Sequence, residues 1–274
     1  MGQGEVARRQ VKCGQALLCV ETCGTGHGIL MLHAGVADRR MWAETVTHLC
    51  PNYLCAAYDR RGFGETVSPD EPFSHVADLE TIVENLGIEK LHIAGCSQGG
   101  RIAIDYALAN PRRVSSLILV ASAVSGRRPP VSYPAGIDTL MSQLERAENG
   151  GGIDRVNAIE AHLWLDGPQS PEGRVGGATR ELFRDMNGRA LNHPPLTQEI
   201  APLSAVERLH EIDIPTLVMW GGRDFPHIVE NSRWIAGQIA KAETMVMQDC
   251  AHLPVLERPD EFNGAVTAFL TKHG

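Results

Sequence analysis

Leu91-His92-Ile93-Ala94-Gly95-Cys96-Ser97-Gln98-Gly99-Gly100 is the stretch that decides the reading of this chain. An apolar run at 91–96 passes through Gly95-Cys96-Ser97-Gln98-Gly99 into a helix-period segment at 99–109. That is the strand-turn-helix context a G-x-S-x-G nucleophile elbow requires. A serine on so sharp a turn draws backbone segments together, so the positions two before and two after it cannot carry bulky side chains. Gly95 and Gly99 meet that demand and Gly100 extends it. The five-residue pattern alone arises by chance in glycine-rich chains, so its context carries the weight.

Outward from the elbow, short apolar runs alternate with helix-period segments, the rhythm of β-α units around a mostly parallel sheet. Strands are predicted at 17–22, 29–33, 54–59, 91–96, 114–121, 216–220 and 244–248, and helices at 42–48, 74–86, 99–109, 229–239 and 260–271. Asn110-Pro111 stops one helix and Pro259-Asp260 starts another. The rhythm lapses at 122–203, where Pro129-Pro130, Gly150-Gly151-Gly152, Gly176-Gly177 and Pro194-Pro195 punctuate short helical stretches. A structureless loop of that length is foreign to a compact protein. The expected fold class is therefore α/β, a mostly parallel doubly wound sheet formed by 1–121 and 204–274, with 122–203 inserted as a helical cap.

An activated serine needs a base and a group that orients the base. In the chain order that accompanies this elbow, the acid ends a later strand and the histidine follows the last one. Gly221-Gly222-Arg223-Asp224 follows the run at 216–220, and Asp249-Cys250-Ala251-His252-Leu253-Pro254 follows the run at 244–248. Ser97, Asp224 and His252 are thus the expected nucleophile, acid and base. Asp249 is the second-choice acid. The turn after 114–121, Ser122-Ala123-Val124-Ser125-Gly126, holds no carboxylate. Cys96 is expected beneath the turn, since an elbow projects only its central residue. The oxyanion donors should be the backbone N–H of Gln98, at the head of the following helix, and that of Gly35 in His33-Ala34-Gly35-Val36.

Composition narrows the partners. The 274 residues are 43% hydrophobic and carry a net charge of −8 with no run of Lys or Arg, which argues against nucleic acid and anionic membrane surfaces and leaves a small molecule. Seven cysteines, an odd number with no C-x-x-C pair, fit a reducing cytoplasm. Residues 1–10 lack the apolar stretch of a leader, and Met1-Gly2 is followed by Val6 where myristoylation wants Ser or Thr. Only 5% of residues are aromatic, and within 122–203 there are just Tyr133, Trp164 and Phe183, so the pocket roof is expected to be aliphatic and polar.

Together these residues resemble the α/β-hydrolase superfamily over essentially the whole chain. Asp59-Arg60-Arg61-Gly62-Phe63-Gly64 is similar to its D-x-x-G-x-G turn, and Ala251-His252-Leu253-Pro254 to its G-H-x-P turn with Ala for Gly. Ala34 likewise stands where most members have Gly. Within the superfamily the pattern resembles the group of 3-oxoadipate enol-lactonases, carboxylesterases and cofactor-free haloperoxidase-like perhydrolases. Ser97 departs from the haloalkane dehalogenase and epoxide hydrolase branches, which use Asp. The resemblance implies a monomeric or homodimeric serine hydrolase of a small ester or lactone, with neither metal nor organic cofactor. A C–C bond hydrolase of meta-cleavage-type diketones would use the same triad. Its dienoate carboxylate would want an arginine, and Arg127, Arg128, Arg155, Arg174, Arg180, Arg184 and Arg189 lie at 122–203. A ligand-binding receptor on the same fold is the alternative from another class.

Overall fold

Three strands of the chain are buried at every position, β3 (Gly28–Leu32), β5 (Leu91–Cys96) and β7 (Thr216–Gly221). Only a sheet covered on both faces permits that. The computed structural model describes residues 5–273; the absence of a leader expected from 1–10 and of a myristoylation signal at Met1-Gly2 rests partly on residues outside that range. In chain order the elements are β1 (Ala7–Cys13), β2 (Ala16–Cys23), β3, α1 (Ala43–Leu49), β4 (Leu54–Tyr58), α2 (His75–Asn85), β5, α3 (Gln98–Ala109) and β6 (Val114–Val120). After β6 come α4 (Ala135–Asn149), α5 (Ile153–Glu160) and α6 (Gly177–Leu191), then β7, α7 (Pro226–Gln238), β8 (Ala242–Met247), α8 (Pro254–Glu257) and α9 (Pro259–His273).

The sheet runs β1-β2-β4-β3-β5-β6-β7-β8. Adjacent strands along β4-β3-β5-β6-β7-β8 are parallel, while β2 is antiparallel to both β1 and β4. Pleat alternation sends successive side chains to opposite faces. Leu91 and Ile93 of β5 pack with Ile82, Ile102, Tyr106 and Ile235 of α2, α3 and α7. Ala94 and Cys96 pack with Trp42, Val46, Phe262 and Phe269 beside α1 and α9. A third cluster, Ile137, Leu144, Val156, Ile159 and Leu163, joins the helices between β6 and β7 to Phe225.

Strand β1 lies outside the predicted set. Its residues alternate poorly, only Val11 and Cys13 being buried, because it is an edge strand held by its hairpin to β2 through Gly14-Gln15. Gly14, at φ +61°, supplies the turn. Helix α7 begins three residues earlier than predicted, at Pro226, a residue suited to a first turn. Strand order reverses between β3 and β5, neighbours in the sheet that connect onward in opposite directions. At such a switch point the carboxyl ends of the strands leave a crevice. The turn His33-Ala34-Gly35 leaves β3 there, and Ser97 leaves β5.

Candidate active site

Ser97 occupies φ +54°, ψ −113°, a conformation that is uncommon for residues other than glycine. Holding it there takes on the order of 1–3 kcal/mol from the surroundings, and close packing supplies them. A Cβ on Gly95 would stand 2.4 Å from the Gly99 carbonyl oxygen, and one on Gly99 2.2 Å from that of Leu32. The Ser97 N–H donates to the Val120 carbonyl (2.8 Å), and the Ser97 carbonyl accepts from Ala123 N–H (3.0 Å), which ties the elbow to the end of β6. Ser97 itself is half-buried.

Asp224 and His252, 28 residues apart, meet: His252 Nδ1 lies 2.7 Å from Asp224 Oδ2, both side chains almost wholly buried. Oδ1 of Asp224 accepts from the Phe225 N–H at 2.7 Å. The two turns are pressed together backbone to backbone, since a Cβ on Gly221 would fall 1.9 Å from the Ala251 carbonyl oxygen. Beneath the elbow, the Cys96 thiol lies 3.8 Å from the His252 carbonyl oxygen. Burial, and behind it the Asp224 carboxylate, pushes that thiol far above its ordinary range, so it is no nucleophile at neutral pH. Asp249, the second-choice acid, is on the surface and pairs with Arg223 (2.8 Å).

Gly35 and Gln98, whose N–H groups are the expected oxyanion donors, are neighbours. A Cβ on Gly35 would be 2.8 Å from Cδ and Nε2 of Gln98, so the turn after β3 rests on that side chain. Gln98 opens α3, where first-turn N–H groups have no intrahelical acceptor. Arg60 braces the turn: one terminal nitrogen donates to Gln98 Oε1 (3.2 Å), the other to the Ala34 carbonyl (3.3 Å). His33 completes the support. Its Nε2 accepts from the Arg60 backbone N–H (3.0 Å), so the ring proton is on Nδ1, 2.7 Å from the Ala34 carbonyl oxygen. Burial, helped by the Arg60 charge, holds the His33 imidazole well below its usual range and so neutral.

Further residues frame the site in ways the sequence did not indicate. Trp164, in a π-helical turn at Ala161–Asp166, places its ring 4.7 Å from the His252 ring and accepts the His252 N–H on its carbonyl (3.3 Å). It also meets Phe225 at 4.7 Å, which in turn lies 5.7 Å from Tyr133. Two of the three aromatics in 122–203 therefore gather around the histidine and acid, against the expectation of an aliphatic and polar roof; a count of aromatics carries no information about where they converge. Glu257 accepts the Ala251 N–H on both carboxylate oxygens (2.8 and 3.0 Å) and pairs with Arg174. Arg174 also reaches the carbonyls of Leu165 (2.8 Å), Asp166 (2.6 Å) and Asp249 (2.9 Å). A carboxylate five residues past the histidine was the only sequence signal for this clasp.

Residues 29–265 match the model of the alpha/beta hydrolase family. The chain belongs to that family. Among curated relatives of this alpha/beta hydrolase is a 2-hydroxy-6-oxononadienedioate/2-hydroxy-6-oxononatrienedioate hydrolase from Pseudomonas putida, 29% identical over 88% of this chain and 87% of that one. A monoacylglycerol lipase from Xenopus laevis is 26% identical over 90% of this chain and 76% of its own. Among solved structures, a malate-bound thermophilic esterase from Thermogutta terrifontis superposes with a TM-score of 0.76 at 25% identity, covering 98% of this chain and all of the other. The fold is that of the family and the relatives are hydrolases. Among the described residues no group of three or more His, Cys, Asp or Glu is placed to hold a metal ion, and no helix is long and apolar enough to cross a membrane.

Proposed function

We propose that this alpha/beta hydrolase is a serine hydrolase of a small ester or lactone, acting through an acyl-enzyme on Ser97. The observation that carries the reading is the buried His252–Asp224 pair at 2.7 Å, packed against the strained turn that presents Ser97. His252 Nε2 would take the Ser97 hydroxyl proton as Oγ attacks the carbonyl carbon, then return it to the leaving alkoxide. Asp224 Oδ2 keeps the Nδ1 tautomer and stabilises the imidazolium. Backbone N–H groups of Gln98 and Gly35 would receive the oxyanion. Water, activated by the same histidine, then cleaves the acyl-enzyme. Residues 122–203 serve as a helical cap over a core of 1–121 and 204–274, a reading supported by Trp164 lying on His252. The protein is expected to act in the cytoplasm as a monomer or homodimer.

Replacing Ser97 with Ala should abolish turnover and fluorophosphonate labelling while circular dichroism stays unchanged; hydrolysis that survives the replacement overturns the assignment. A second reading, hydrolysis of a carbon–carbon bond in a vinylogous diketone, is favoured by the dienedioate hydrolases among the relatives. Parallel assays with aryl esters, enol-lactones and such diketones choose between the two, and a single burst without turnover would point instead to a binding protein.

A further inference from the structure

Beside the oxyanion turn is a cavity of about 240 Å³, bounded by Arg60, Phe63, His75, Gln98, His193 and Glu199 among others. Arg60 is only 1% exposed. A buried cation is ordinarily paired with a carboxylate. This one is not: its hydrogen-bond acceptors are the neutral oxygens of Gln98 and Ala34, its Cζ sits 4.5 Å from the Phe63 ring, and its Nε has no partner. Among the described residues no carboxylate forms an ion pair with it.

The other two arginines near this cavity are already paired with carboxylates. Arg61 is held by Glu71 and Asp78, both at 2.8 Å, and Arg101 is paired with Glu199 at 3.1 Å. His75, 3.8 Å from Glu199, is kept neutral by burial and by the arginines around it. Arg60 is the one of the three arginines without a carboxylate partner. Burial lowers its pKa to about 10, which still leaves it a cation at neutral pH.

We propose that this cavity is a carboxylate subsite, in which Arg60 receives a single carboxylate carried by the substrate a few bonds from its reacting carbonyl. The proposal rests on the Ser97 reading for the position of that carbonyl. Gln98 joins the two places: its N–H is an expected oxyanion donor, while its side chain lies against Gly35 and accepts from Arg60. A planar guanidinium with unused N–H groups matches a carboxylate's two oxygens. Glu199, also lining the cavity, disfavours a dianion such as a phosphate monoester. Of the seven arginines of 122–203, Arg174 is engaged with Glu257, Arg180 with Asp166, Arg189 with Asp185, Arg127 with the Trp234 ring and Arg155 with Gln143. The charge that recognises an acid therefore comes from the turn after β4.

The test compares 4-nitrophenyl hydrogen adipate with 4-nitrophenyl methyl adipate, which differ only in whether the distal carboxylate is free. The wild-type protein should favour the acid by about tenfold or more in kcat/KM, through KM, the size expected of a charge-assisted hydrogen bond. In Arg60→Gln the ratio should fall towards one. An equal rate on both substrates in the wild type, or an undiminished ratio in Arg60→Gln, overturns the proposal. Should Arg60→Gln be inactive on both, competition decides: adipate, and not adipamide, should inhibit methyl-ester hydrolysis by the wild type, and equal potency refutes the subsite. Calorimetric titration of adipate into Ser97→Ala keeps this apart from the catalytic reading. Binding there with no turnover of either ester by the wild type would sink the Ser97 mechanism and leave the subsite standing; turnover with no adipate binding would do the reverse.

Discussion

At Gly99 the space for a side chain is already filled by the main chain of β3, 2.2 Å from where a Cβ would sit. Backbone cannot move aside as the end of a flexible side chain can. Gly99→Ala should therefore lower the unfolding free energy by about 2–4 kcal/mol and displace Ser97, seen as a reduced urea midpoint together with slower fluorophosphonate labelling. The acid acts differently. Asp224 holds the imidazole without reacting, so Asp224→Asn should preserve the fold while kcat falls by about 10⁴ through stabilisation of the wrong tautomer. Steady-state kinetics checks this, and near-wild-type kcat would transfer the role to another carboxylate. The elbow and the strand ends that carry Ser97, Asp224 and His252 were legible from the sequence because turn chemistry and periodicity are local features. Arg60 and Glu257 were not, since nothing local distinguishes a buried arginine without a counter-ion, or a carboxylate that caps a turn, from ordinary surface charge.

Helix α8 and the π-helical turn at Ala161–Asp166 grip the histidine turn from two sides, and Arg174 binds them together. Burial raises the Glu257 pKa while Arg174 pulls it back, so the pair holds its shape only as a pair. Losing the carboxylate frees the Ala251 N–H and loosens the residue before His252. Glu257→Ala should reduce kcat by about 10–100-fold, the effect of a misplacement of roughly an ångström, with little change in KM and a shifted acid limb in the pH profile of kcat/KM. Glu257→Gln, which retains one acceptor, should recover part of the loss. Equal losses in kcat and in thermal stability, without movement of the pH profile, would reduce Glu257 to a structural residue. The clasp could not be foreseen because it joins residues 75–88 positions apart, Arg174 with Asp249 and Glu257, and His252 with Trp164.

Across the whole molecule, the end of the sheet opposite the site carries its own buried titratable group. His92 on β5, hydrogen-bonded to Ser116 Oγ (2.7 Å) and 4.5 Å from the His27 ring, is lowered to about 4 by burial, with His27 and Lys90 adding to the effect. Between its unfolded value of about 6.5 and the folded one, the unfolded chain binds the extra proton, so stability is lost as pH falls through that window. The difference in urea-unfolding free energy between the wild type and His92→Gln should therefore shift against the wild type from pH 6.5 to 4.5, by at most about 1.4 kcal/mol per pH unit. Asp59 and Asp105, both raised to about 6 by burial, have the opposite slope but are common to both proteins and cancel in the difference. A parallel pair of curves would exclude this assignment. What the sequence determined by itself is the α/β rhythm and where its strands end, because periodicity and turn chemistry act within a few residues. Only the tertiary structure decided that Trp164 covers His252, that Glu257 holds its turn and that Arg60 faces a cavity without a counter-ion, because close packing and charge balance depend on which distant segments share a neighbourhood.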